Sequence, residues 1–272
     1  MIRRKPNREI DFKRERENHQ NMPQHPNLIR LLASFERGGD YYLIFPYADG
    51  NFLDFWKTHS APGQSEEHPE LAWFSEQCLS LARGLNAIHN PGPPLGDGQA
   101  SLGSKAHGRH GDLKPHNILW FKEDEGGKPS LGSFKYCDFG LSAFHRTISM
   151  QENPSGFGCS LTYMAPERNT GYKIGPAYDI FSLGCVLLEF VIWYLDGWGA
   201  VEAFSDVRVD EDKGSASDWD VDSFFCCTPV YAPSGDQRVP KASLKPCVQK
   251  VRVFAHWRSR LSTDNEPLPL GI

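Results

Sequence analysis

Two short apolar runs, Ile118–Phe121 and 134–137, constrain this chain more than any other feature, because polar residues crowd their ends. The segment His110-Gly-Asp-Leu-Lys-Pro-His-Asn117 precedes the first run, and Asp138 follows the second. A polar turn over 123–133 joins the two runs, so strand, turn and strand separate Asp112, Lys114 and Asn117 from Asp138. Alone, any of these residues is more often a turn or cap residue than a chemical one. Four of them at the ends of short strands form a set.

That set has a chemistry. Transfer of a phosphoryl group from a nucleotide needs one carboxylate to orient the attacking hydroxyl and accept its proton. It also needs a lysine to neutralise the moving group, and a carboxylate with an amide oxygen to hold Mg²⁺. Magnesium prefers oxygen ligands and keeps several waters, which suits an Asp with an Asn better than a His/Cys cage.

The flanking chain supplies an α+β frame. Residues 1–20 mix basic and acidic side chains, with Glu9, Lys13 and Glu17 four apart as on an exposed helix face. The segment 25–35 reads as a turn and then a strand, Gly38-Gly39-Asp40 as a hairpin turn, and 41–45 as a second strand. Leu71, Phe74, Cys78, Leu81, Leu85 and Ile88 step by three and four, the spacing of one helix face. The apolar stretch 180–195 contains Glu189 and is shorter than the roughly 20 residues a membrane span needs, so it reads as a buried core helix. Residues 197–235 read as an acidic loop region in which 206–222 is open to basic partners, and 244–250 as the start of a late helix.

Composition narrows the function classes. The 272 residues carry a formal charge of −5, which argues against a nucleic-acid partner held by a global basic field. Nothing in the sequence points to a membrane partner. Seven cysteines with no C-x-x-C pair read as reduced thiols rather than a zinc site, and the charged, apolar-poor start does not read as a secretory signal. The expected setting is intracellular, cytoplasmic or nuclear.

The order of motifs is more specific than the chemistry. His110-Gly-Asp112 with Lys114 and Asn117, then Asp138-Phe-Gly140, Ala165-Pro-Glu167 and Asp179-Ile-Phe-Ser-Leu-Gly184 resembles the eukaryotic protein kinases over roughly residues 9–195. The resemblance implies an α+β, protein-kinase-like fold. Residues 1–48 form a partial N-terminal lobe with antiparallel strands, 49–250 a mainly helical C-terminal lobe with loop insertions, and 251–272 an irregular tail. It implies Asp112 as catalytic base, Lys114 as the phosphate-facing lysine of a Ser/Thr-type enzyme, and Asn117 and Asp138 as Mg²⁺ ligands. ATP would lie against Phe45, the gatekeeper, and the hinge Pro46, Tyr47 and Ala48. Glu15, with Glu17 as rival, takes the place of the glutamate on the helix of the upper lobe. Ser160 or Thr162 would shape the pocket for the substrate hydroxyl, and Phe139 and His110 would stack between the lobes. Glu167 is implied as a buried ion-pair partner, with Arg252, Arg258 or Arg260 opposite, and Asp179 as the anchor of the catalytic loop. The implied partners are ATP and a protein bearing Ser or Thr.

Three departures accompany the resemblance, one being that 251–272 lacks the amphipathic helices expected to finish the lower lobe. Gly111 stands where the family usually has an arginine that grips a phosphorylated loop. No glycine precedes Glu15, so the glycine-rich loop and strand lysine that clamp the phosphates are not legible, and the chain is expected to begin within or just before the upper-lobe helix. A pseudokinase or protein-interaction module, and a non-functional fragment, therefore stand as alternatives to an active kinase.

Overall fold

The computed structural model describes residues 9–64, 70–92, 107–122, 131–145, 161–170, 172, 174–212, 222–231 and 238–251. Helix α1 (Glu9–Asn21) opens this part of the chain, with Phe12, Glu15, Asn18 and His19 on its buried side. Strands β1 (Ala33–Arg37) and β2 (Asp40–Ile44) follow as an antiparallel pair closed by Arg37 opposite Asp40. Gly38 and Gly39 alone form the loop, at φ +61° and +78°, so the turn needs residues that accept the left-handed region at both positions. Asp40, read from sequence as part of the turn, is instead the first residue of β2.

An extended segment, 45–49, links the pair to β3 (Gly50–Asn51) and α2 (Phe52–Thr58). Asn51 and Asp54 cap α2 reciprocally: Asp54 N donates to Asn51 Oδ1 at 3.0 Å, and Asn51 N donates to Asp54 Oδ2 at 3.1 Å. Helix α3 (Leu71–His89) has the expected span. Beyond it come β4 (His107–Arg109), β5 (Ile118–Phe121), β6 (Ser133–Tyr136), β7 (Ala143–His145), the single turn α4 (Glu167–Thr170) and α5 (Pro176–Asp196). Helix α6 (Trp198–Asp210), strands β8 (Phe225–Tyr231) and β9 (Arg238–Leu244), and α7 (Pro246–Lys250) complete the described chain.

Helix α6 and hairpin β8–β9 correct the reading of 197–235 as loop. The late helix near 244–250 is present as α7. Strands β3, β5 and β6 form one antiparallel sheet in that order, and β4 pairs with β7.

The core explains the aromatic content. Phe52, Phe55, Trp56, Phe134, Phe190 and Trp193 are each wholly buried, with ring centroids as close as 4.2 Å for Phe52 and Phe134. Burying side chains of this size contributes about 1.5–3 kcal/mol each relative to exposure. Helix α5 supplies Phe190 and Trp193, and Trp193 Nε1 donates to Trp56 O at 2.9 Å. The helix is apolar enough by length and composition to cross a membrane, yet 61% of its most apolar window is buried within the protein. It is a core helix, as its Asp179 and Glu189 require. Gly84 lets α3 lie flat on the sheet, since a Cβ there would come within 2.9 Å of Asn27 Cβ and 3.1 Å of Tyr136.

Candidate active site

The sheet register builds the site. Ile118 pairs with Tyr136, and just beyond that pair Cys137 N donates to Asn117 O at 2.9 Å. Asn117, at the start of β5, and Asp138, just past β6, are thereby brought to the same end of the strand pair. A single 3₁₀ turn, Pro115–Asn117, closes the loop before β5, with Asn117 N bonded to Lys114 O at 2.9 Å. The loop is held from below by Leu113 and Ile118, both in the core.

Within that loop the polar side chains converge. Lys114 Nζ lies 2.8 Å from Asp112 Oδ2, and Asn117 Nδ2 donates to the same oxygen at 3.0 Å and to Asp112 O at 2.8 Å. An amide that donates through Nδ2 keeps Oδ1 as an acceptor for a cation. Asp138 holds φ +65°, the one positive φ outside glycine among the described residues, and accepts from Gly140 N at 3.4 Å. A non-glycine residue in that region costs about 1–3 kcal/mol, and such strain is concentrated at functional sites.

Asp179, wholly buried at the start of α5, ties the loop down. Its Oδ2 accepts from His110 N at 2.7 Å and meets His89 Nε2 at 3.0 Å, and its Oδ1 accepts from Gly111 N at 2.9 Å. Gly111 adopts φ +85°, and a Cβ there would stand 2.8 Å from Leu141 O. Glycine at this position is therefore a steric and conformational requirement of this loop.

The upper-lobe residues stack onto the site. His19 packs between Phe45 and Phe139, with centroids at 4.8 and 5.0 Å, and His110 lies 5.4 Å from Phe139. Burial lowers the His19 pKa to about 4, against the opposing pull of the Asp138 carboxylate. Among the described residues, neither His19 ring nitrogen has a hydrogen-bond partner. Asn18 Nδ2 donates to Phe139 O at 2.7 Å and to Ser142 O at 3.0 Å, which fastens α1 to the turn after Asp138. Glu15 is buried on this helix and Glu17 is exposed, which favours Glu15 over its rival. Phe45, Pro46 and Ala48 are half-buried along the linker, and Tyr47 turns its side chain to solvent.

Other expected residues fare differently. Thr162 is described and Ser160 lies outside the described residues. Glu167 is half-buried, with Oε2 unbonded among the described residues, and its expected partners Arg252, Arg258 and Arg260 lie outside them. The buried ion pair of the lower lobe falls elsewhere among the described residues. Arg208 Nη2 lies 2.7 Å from Glu189 Oε1, Arg208 Nε lies 2.6 Å from Asp222 Oδ1, and Tyr163 Oη donates to Glu189 Oε2 at 2.7 Å. Arg208 is sandwiched between Phe204 and Phe224 at 4.4 and 4.2 Å. Burial raises the Glu189 pKa, with Arg208 opposing it. The expected open acidic surface is also partly neutralised, since Asp212 pairs with Lys245 at 2.7 Å and Asp222 with Arg208.

Comparison with known proteins agrees with this geometry. Residues 2–195 match the protein kinase domain family. The chain belongs to that family. It is 27% identical over 169 residues to mouse cyclin-dependent kinase-like 4, covering 62% of this chain and 40% of that protein. It is 29% identical over 212 residues to the tobacco mitogen-activated protein kinase kinase SIPKK, covering 75% and 51%. To Arabidopsis mitogen-activated protein kinase kinase 2 it is 32% identical over 167 residues, covering 61% and 38%. The chain thus spans about half or less of the length of these relatives. As a kinase domain, it belongs to a family that works in general on ATP with Mg²⁺ and a protein substrate.

Several residues that hold this kinase site escaped the sequence reading. Asn18 lies three residues beyond Glu15, on the same helix face, and His89 ends the long periodic helix, so both had a positional signal. Val201, Phe204 and Arg208 carried helical spacing that the acidic composition around them masked.

Proposed function

We propose that this domain transfers the γ-phosphoryl group of ATP to a serine or threonine hydroxyl of a protein. The observation that carries the reading is the convergence of Lys114 and Asn117 on one Asp112 oxygen, with Asp138 brought alongside by the strand register. Asp112 orients the acceptor hydroxyl and takes its proton, the work a positioned carboxylate does in such a transfer. Lys114 sits where its charge offsets the negative charge of the group in transfer. Asn117 Oδ1 and the Asp138 carboxylate are the oxygens that would hold Mg²⁺, a donor set of the hardness and number that ion accepts from protein. Bound there, the ion would neutralise phosphate charge. The backbone of 45–48 supports the base of ATP, and Glu15 belongs to the nucleotide side of the upper lobe.

The test is phosphoryl transfer from Mg²⁺-ATP to a serine-containing protein, with thermal stabilisation by Mg²⁺-ATP measured beside it. Ligand at 100 times its dissociation constant stabilises by about 2.7 kcal/mol. Asp112→Ala is expected to abolish transfer and retain that stabilisation. Unchanged transfer would remove Asp112 from the role of base, and nucleotide binding without transfer in the unaltered chain would favour an interaction module.

A further inference from the structure

The chain leaves β6 extended, reverses hand at Asp138, where φ is +65° and ψ +68°, and enters a 3₁₀ turn, Phe139–Leu141. A non-glycine residue rarely keeps that backbone unless its surroundings impose it. Two side chains do so from opposite sides. Ahead of Asp138, His110 Nε2 meets Cys137 O at 3.0 Å. Behind it, Asn18 Nδ2 donates to Phe139 O at 2.7 Å and to Ser142 O at 3.0 Å. The turn's own bond, Ser142 N to Phe139 O at 3.1 Å, and a bond from Ser142 Oγ to His110 O at 3.3 Å close the frame.

The chemistry of the rear clamp is narrow. Two carbonyls face one nitrogen, so the group between them needs two hydrogens on a single atom. A carboxylate there would set oxygen against oxygen, and an apolar side chain would leave both carbonyls bare. Asn18, Phe139 and Ser142 are all buried, so solvent is poorly placed to supply the missing donors.

We infer that Asn18 is a positioning residue for the metal-holding carboxylate: by fixing the turn behind Asp138 it keeps that residue in its left-handed conformation. The inference rests on the kinase reading, which makes Asp138 a Mg²⁺ ligand. A turn released by loss of Asn18 populates other backbone states, and apparent affinity for the ion falls with the fraction of chains still competent. Two lost hydrogen bonds change that fraction roughly tenfold.

The experiment uses the full chain with Asn18→Leu, with Asn18→Ser as a smaller second variant, and with Phe12→Leu as a control. Phe12 stacks on Tyr41 at 4.7 Å, so its change loosens α1 against β2 and leaves the Asn18 bonds in place. Mn²⁺, which shares the oxygen preference of Mg²⁺, is followed by electron paramagnetic resonance in the presence of a non-hydrolysable ATP analogue. Binding of the analogue alone is measured by calorimetry in EDTA, and stability by urea denaturation. The Asn18 variants are expected to weaken Mn²⁺ roughly tenfold while the metal-free analogue binds as before. Phe12→Leu is expected to lower stability with Mn²⁺ binding unchanged. Unaltered Mn²⁺ affinity in either folded Asn18 variant would overturn the inference, as would an equal loss in Phe12→Leu. Amide exchange at Gly140, whose N–H donates to Asp138 Oδ1 at 3.4 Å, gives a readout that needs no metal and should quicken in the Asn18 variants alone. Exchange that stays slow in them, or quickens equally in the control, would also overturn it. Failure of the unaltered chain to bind Mn²⁺ with the analogue would count against the kinase reading, and Gly140 exchange would then decide whether Asn18 holds the turn.

Discussion

Replacing Asp179 by asparagine tests whether one buried carboxylate holds the catalytic loop. The carboxylate accepts from His110 N at 2.7 Å and Gly111 N at 2.9 Å and meets His89 Nε2 at 3.0 Å, with no exposure to solvent. Asparagine keeps the shape but only one acceptor oxygen. Its NH₂ must face a former donor, so at least one backbone N–H loses its partner. Loss of one hydrogen bond to a charged group, about 1.5–3 kcal/mol, adds to about 1–3 kcal/mol for the buried donor left unmatched. The expected destabilisation is therefore about 2.5–6 kcal/mol. Urea denaturation measures it, and with a slope of about 1–3 kcal/mol per molar the midpoint should fall by at least about 0.8 M. Amide exchange at His110 and Gly111 gives the local readout and should accelerate more than exchange in the α3 interior. A loss under about 1 kcal/mol with unchanged exchange at both amides would refute the reasoning, because desolvated partners cannot be lost so cheaply.

Three other substitutions probe separate links. Arg208→Met leaves Glu189 buried without its cation and should cost about 3–5 kcal/mol at neutral pH. Because the Glu189 pKa is already raised, the native state of that variant holds the extra proton, so its deficit should shrink as pH is lowered toward the carboxylate range; a pH-independent deficit in urea denaturation would speak against this. His19 is held neutral with a pKa of about 4 against 6.5 unfolded, so its contribution is complete above pH 6.5 and is lost as pH falls toward 4. His19→Leu should flatten the stability profile across that window, by at most about 3 kcal/mol, and an unaltered profile would show that His19 does not titrate there. Gly111→Ala must place a Cβ 2.8 Å from Leu141 O at φ +85°, and should lower stability by about 1–3 kcal/mol in the same denaturation assay.

The strand–turn–strand with its polar ends, helix α3 and the β1–β2 hairpin were legible because each rests on local pattern: alternating polarity, a 3–4 step, and paired glycines. The convergence of Asp112, Lys114 and Asn117 at the strand end that also carries Asp138 was legible for the same reason, since a short loop and one strand pair are enough to join them. The supports of the site were not. His89 and Asp179 are ninety residues apart, and Asn18 reaches Phe139 across 121 residues, distances over which no local pattern acts. The buried ion pair of Arg208 in α6 with Glu189 escaped notice, because acidic neighbours made an amphipathic helix look like a loop, while the arginines expected opposite Glu167 lie outside the described residues. Gly111 is the converse case. The missing arginine was visible in sequence, whereas the left-handed backbone that favours glycine there was not.

The two hydrogen bonds from Asn18 have a mechanical meaning. Both end on main-chain carbonyls of the turn that follows Asp138, so they grip the backbone itself rather than a side chain free to swing. Helix and turn are joined as a crank is to its shaft. A tilt of α1 therefore pulls on the Phe139 and Ser142 peptides, the first of them one residue beyond Asp138. Where the carboxylate points is then governed from the opposite end of a thirteen-residue lever.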